Sequence, residues 1–143
     1  MKIKVISFGF KYKNIPDASI LFDLRFLDNP YWQPEMRTMT GLDKKVSDYI
    51  MSAPGAGEFY ENYKKTIEQV LPLAKKKEAN GGDIESEIVI AFGCTGGQHR
   101  SVAFAERLGK DLEKAGYDVT IFHRDLQSSL KRELIKAKEE ARP

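Results

Sequence analysis

Ile88-Val89-Ile90-Ala91-Phe92-Gly93-Cys94-Thr95-Gly96-Gly97-Gln98-His99-Arg100-Ser101 is the stretch whose reading decides the fold. Ile88 to Phe92 is wholly apolar, as expected of a central parallel strand buried on both faces. Behind the turn, Val102, Ala105, Leu108, Leu112 and Ala115 recur at helical spacing, and Gly116 is placed to cap that helix. Strand, glycine-rich turn and helix thus follow one another without a break. Outward from this point the same alternation continues. Lys2 to Phe8 and Ser19 to Asp23 read as strands before it, and Tyr117 to His123 as a strand after it. Leu42 to Ser52 and Glu58 to Leu71 read as helices. The second carries Phe59, Tyr63, Ile67, Val70 and Leu71 on one face, and Pro72 is expected to end or kink it. Lys75 to Glu85 reads as a solvated tail and turn, closed by Asn80-Gly81-Gly82-Asp83. Asp125 is placed to cap a last helix with Leu126, Leu130, Leu134 and Ala141 on one stripe.

Strands alternating with helices predict an α/β fold: a mainly parallel sheet flanked by helices, with a glycine-rich, phosphate-binding strand-to-helix turn. Ligands of such sheets bind beyond the carboxyl ends of the strands, where Phe92-Gly93 would lie. The 143 residues suit one domain, 1–143, with 126–143 as a C-terminal helical tail. Hydrophobic residues make up 41% and charged residues 31%, the balance of a soluble globular chain. A net charge of +2 is too mild to argue for nucleic acid from bulk charge. One cysteine excludes an internal disulfide and makes the cytoplasm the default location. The first residues are too polar for a signal peptide, and no apolar run is long enough for a membrane span.

The turn carries the chemistry. Amides at a helix N-terminus lack internal partners, and the helix dipole adds partial positive charge. Glycines let several amides converge on one anion. Cys94, Thr95, Gly96, Gly97, Gln98, His99, Arg100 and Ser101 are therefore the expected anion-binding set, with Arg100 as a bidentate donor. Neither Gly-x-x-x-x-Gly-Lys-Ser/Thr nor Gly-x-Gly-x-x-Gly occurs, so the standard nucleotide fingerprints are absent. Cys94, His99 and His123 do not make a zinc set at usual spacings, and neither a metal nor a cofactor is expected. Cys94-x-x-Gly97-x-x-Arg100-Ser101 also matches the loop of cysteine-dependent phosphatases, in which a thiolate attacks phosphorus. That chemistry needs a general acid, for which Asp23, Asp43 and Asp125 are candidates. A plain buried thiol is the structural alternative for Cys94.

Gly93 to Val102 resembles the signature of the C-terminal domain of the RNase adapter RapZ, the YvcJ-like proteins. Phe8-Gly9-Phe10-Lys11-Tyr12, Phe22 to Trp32, Thr40-Gly41-Leu42-Asp43-Lys44 and His123-Arg124-Asp125-Leu126 extend the resemblance in the same order, over roughly Ile3 to Leu126. The resemblance implies a phosphorylated metabolite as ligand, a sugar phosphate or nucleotide (glucosamine-6-phosphate in enterobacteria). It further implies self-association into a homo-oligomer, a small regulatory RNA, and an endoribonuclease to which that RNA is presented. It suggests a sheet related to part of phosphofructokinase. The chain is expected to be the domain by itself, without the family's P-loop domain, so nucleotide hydrolysis does not carry over. Gln98 stands where relatives often have lysine. The tail mixes Lys131, Arg132, Lys136, Lys138 and Arg142 with Glu133, Glu139 and Glu140, a pattern usual for a solvated helix face.

The long loop Leu24 to Gly41 holds two prolines and no periodicity, and such loops are usually functional. Arg25, Asn29 and Arg37 within it, and Lys11 after the first strand, are expected as secondary ligand contacts. Tyr31 and Trp32 could stack on a ligand but suit anchoring the loop. Lys75-Lys76-Lys77 is a short basic run that could touch RNA phosphates weakly. Three functions compete: a phosphometabolite-binding module with an RNA adapter role, a cysteine-dependent phosphatase, and a protein-interaction module that keeps the pocket only as structure.

Overall fold

The computed structural model describes residues 1–82 and 87–142. Four strands, β1 (Lys2–Gly9), β2 (Ile20–Asp23), β3 (Glu87–Cys94) and β4 (Asp118–His123), form one sheet in the order β2-β3-β1-β4. Every pairing is parallel, with Gly9 opposite Cys94 and Asp23 opposite Gly93 at the carboxyl ends. The expected α/β architecture is therefore present. The apolar run around Ile90 lies on the second strand from the edge, which explains its two-sided burial.

Four helices accompany the sheet: α1 (Lys44–Ser52), α2 (Ala56–Ala79), α3 (Arg100–Lys114) and α4 (Leu126–Glu140). Ile3, Val5, Ile88, Ile90 and Phe92 bury one sheet face against Tyr60, Ile67 and Leu71 of α2 and Phe104 and Leu108 of α3. The opposite face closes differently. Ile6, Phe8 and Ala91 are covered by Phe10 and Ala18 from the β1–β2 connection. α3 ends as the sequence suggests. Gly116 has φ +95, its amide donates to the Glu113 carbonyl at 2.9 Å, and the Tyr117 amide donates to Leu112 at 3.1 Å. These are the two bonds of a Schellman cap.

Three expectations are corrected. Pro72 does not end α2, which runs on to Ala79. Pro72 and Glu68 are both exposed, so the carbonyl that loses its amide partner can be met by solvent, while Ile67, Leu71 and Ala74 keep the buried stripe going. Lys75 to Ala79 are thus helix rather than tail, and the part of the expected turn from Asp83 to Glu85 lies outside the described residues. The loop from Leu24 to Gly41 is also more ordered than its composition implies, with 3₁₀ turns at Pro30–Trp32 and Pro34–Met36, each opened by a proline.

The third correction concerns α4. Of the expected stripe only Leu126 is buried, while Leu134 is 51% exposed. The buried side carries Ser129 and Glu133 instead. Asp125 does not cap α4 with its side chain; its Oδ2 accepts from the Gly9 amide at 2.7 Å. The helix therefore turns a polar face to the sheet's carboxyl end. No helix among the described residues is long and apolar enough to cross a membrane.

Candidate functional site

The carboxyl ends of β1 and β3 are crossed by the turn at 95–99 with backbone against backbone. Gly97 has φ +69, the left-handed region that glycine occupies without strain. A Cβ on Gly97 would lie 2.7 Å from the Gly9 nitrogen, and one on Gly9 would lie 2.6 Å from the Gly96 carbonyl carbon. Glycine at these positions is thus a requirement of the crossing. The Lys11 amide donates to the Thr95 carbonyl at 3.2 Å, which fixes the start of the β1–β2 connection beside the turn.

The polar side chains of the turn have protein partners. The Gln98 amide group donates to the carbonyls of Arg37 and Met39, both at 2.8 Å, and its oxygen accepts from Ser129 Oγ at 2.8 Å. His99 Nε2 lies 2.7 Å from the Met36 carbonyl, an acceptor only, so this nitrogen carries the proton. Burial holds His99 below the usual histidine range, and the bond to Met36 opposes that shift. Arg100 is 3% exposed, and its Nη1 donates to the carbonyls of Arg25 at 3.0 Å and Leu27 at 2.8 Å. Its Nη2 reaches Thr95 Oγ1 at 3.4 Å, and its buried Nε has no partner among the described residues. Gln98, His99 and Arg100 thus strap the Leu24–Thr40 loop over the turn.

The backbone of the turn behaves in the opposite way. The amides of Gly96, Gly97, Gln98, His99 and Arg100 donate to no protein acceptor among the described residues. Five consecutive free donors at the start of α3 are suited to an anion. Above them lies a cavity of about 310 Å³. Cys94, Thr95, Gly96, Gln98, His99 and Arg100 form its floor, and Lys11, Asn29, Tyr31 and Trp32 one side. Lys11 Nζ stands 3.8 Å from the position a Cβ on Gly96 would take. The other side is α4, through Ser129, Glu133 and Lys136.

Of the residues singled out in the sequence, Lys11 and Asn29 join the turn in one cavity. Gly97 and Ser101 do not line it. Arg25 and Arg37 do not line it either. Arg25 pairs with Asp23 at 2.7 Å and lies 3.8 Å over the Phe10 ring. Arg37 donates to the Tyr31 carbonyl at 2.8 Å and stacks on the Tyr31 ring. Ser129, Glu133 and Lys136 were not singled out as ligands. Their spacing of four and three residues places them on one helix face, a signal readable in the sequence.

Cys94 and Arg100 line one cavity, but none of the three carboxylates considered as general acid joins them there. Cys94 is 2% exposed; its Sγ donates to Ser101 Oγ at 3.1 Å and accepts from the Ser101 amide at 3.4 Å. Asp23 is held below the usual carboxylate range by its bonds to Arg25, so it is ionised at neutral pH. Asp43 accepts from the Thr40 amide and Asp125 from Gly9. None of the three lines the cavity, whose carboxylate is Glu133.

The model of the RapZ C-terminal domain matches residues 1–127. A curated protein of Lactiplantibacillus plantarum, named a nucleotide-binding protein, is 48% identical over 125 residues. The match covers 87% of this chain and 40% of the relative, so the chain spans less than half of that protein's length.

Proposed function

This chain belongs to the RapZ C-terminal domain family, and we propose from that premise that it is a binding module for a phosphorylated small metabolite, a sugar phosphate or a nucleotide. The observation that carries the reading is the row of free amides from Gly96 to Arg100, four of whose residues line the cavity. A phosphate seated there would accept from the amides and from the buried Nε of Arg100, with Lys11 and Lys136 adding positive charge at the sides. Side chains that are already tied to carbonyls need no reorganisation on binding, which keeps the cradle pre-formed. The relative's name supports a nucleotide, although most of that protein lies outside the matched stretch. Isothermal titration with sugar phosphates and nucleotides tests the reading. Micromolar to millimolar binding that weakens in Lys11→Ala is expected, and no heat with any phosphate overturns it.

The RNA and endoribonuclease roles belong to the same proposal. Exposed Lys75, Lys76 and Lys77 at the end of α2, and Lys131, Arg132 and Lys138 on α4, are the cations an RNA backbone would meet. A gel shift with a regulatory hairpin that weakens steeply with salt is the expected result; absence of a shift at low salt leaves the metabolite role alone. Self-association is tested by sedimentation, with a species larger than the monomer expected.

A further inference from the structure

Residues beyond 127 lie outside the family match, yet they complete the cavity. Ser129 stands nearest the turn: its Oγ is 3.5 Å from the place of a Cβ on Gly96 and is bonded to Gln98. Glu133 follows one turn later, about 6 Å along the helix axis. It is 6% exposed, and carboxylates are rarely buried so deeply without a partner. Its partner is Lys136 Nζ at 3.4 Å, a side chain that is itself 48% exposed. The cavity thus pairs a donor-rich floor with a buried acceptor one helical turn away. A carboxylate there repels a bare anion and rewards a ligand that brings a hydrogen-bond donor to the same spot.

We propose that Glu133 is the specificity-determining residue of the cavity, selecting phosphomonoesters that carry a hydroxyl or amino group about one helical turn from the phosphate. The assignment rests on the phosphate reading above. Phosphate on the turn supplies affinity that any phosphomonoester shares. Glu133 accepts from the distal donor, which sugar phosphates and nucleotides possess and simple alkyl phosphates lack.

Titration of the full chain with methyl phosphate, ribose 5-phosphate and AMP tests it. Ribose 5-phosphate or AMP is expected to bind at least about tenfold tighter than methyl phosphate, the worth of one charge-assisted hydrogen bond. The tighter of the two separates a sugar phosphate from a nucleotide as the source. In Glu133→Gln, methyl phosphate gains affinity and the preference shrinks severalfold. Glu133→Asp, which keeps the charge but withdraws it, lies between the two; should the glutamine variant fail to fold, a reduced preference in the aspartate variant decides. Equal affinity of the wild type for all three esters, or a preference unchanged in the variants, overturns the assignment. A wild type that binds none of them overturns the phosphate reading as well.

Discussion

The cavity has two unlike walls. The floor, Cys94 to Arg100, gives its side chains to the protein and keeps its backbone amides free. The α4 wall has its backbone engaged in its own helix and meets the cavity only through Ser129, Glu133 and Lys136. A wall made of backbone is set by where glycine is required and changes little when a side chain is exchanged. A wall made of side chains changes its chemistry with every substitution. On the proposed function, holding an anion falls to the first wall and choosing among anions to the second.

The most severe test of this division is Arg100→Ala. A residue that only gripped ligand could be removed without cost to the free protein. Here the guanidinium holds the carbonyls of Arg25 and Leu27 from a buried position, so urea unfolding without ligand is expected to show a loss of about 2–4 kcal/mol. Arg100→Lys should recover little of it, because one ammonium cannot reproduce the planar fork. Wild-type stability in either variant would break the division.

Gly97→Ala comes next, at a loss of about 2 kcal/mol or more, from strain at φ +69 and contact with the Gly9 backbone. Gly96→Ala sharpens the comparison. Its added methyl would meet Ser129 Oγ at 3.5 Å, an ordinary contact, so stability should move by less than about 1 kcal/mol while ligand affinity changes. Lys11→Ala should weaken phosphate binding by about tenfold with little change in unfolding, since Lys11 is exposed at the rim.

A smaller effect concerns pH. The folded state holds His99 below 6.5, so between the two values the unfolded chain binds the extra proton. Stability should be full above pH 6.5 and decline as pH falls below it. Denaturation at several pH values, repeated with His99→Gln, should show this slope and its loss. Ser129→Ala, which removes one hydroxyl bond between the walls, should cost about 1 kcal/mol in urea unfolding.

Much of the floor was legible in the sequence. The apolar run to Phe92, the three glycines and the helical repeat after Arg100 are short-range signals with local causes. Lys11 and Asn29 were legible through the company they keep in the chain. The acceptors of Gln98, His99 and Arg100 were not, because they are carbonyls of a loop without periodicity. Arg25 and Arg37 illustrate the same limit: each has a local partner, Asp23 or Tyr31, that no spacing rule announces. The orientation of α4 departs from its sequence pattern for a different reason. A helix is ordinarily taken to bury its apolar stripe, but here the neighbouring surface is polar, and Ser129 and Glu133 face it while Leu134 stays outside.

The order of the strands has a consequence for how the site comes into being. β1 bonds only to β3 and β4, both from the second half of the chain. The meeting of Gly9 and Gly97 depends on that distant pairing, so the floor is expected in no fragment that lacks either half. Occupancy of the cavity therefore reports on the integrity of the whole sheet. A ligand at about 100 times its Kd should add about 2.7 kcal/mol to global stability. That gain would slow amide exchange in the hydrogen-bonded sheet residues Val5 and Ile90, far from the ligand.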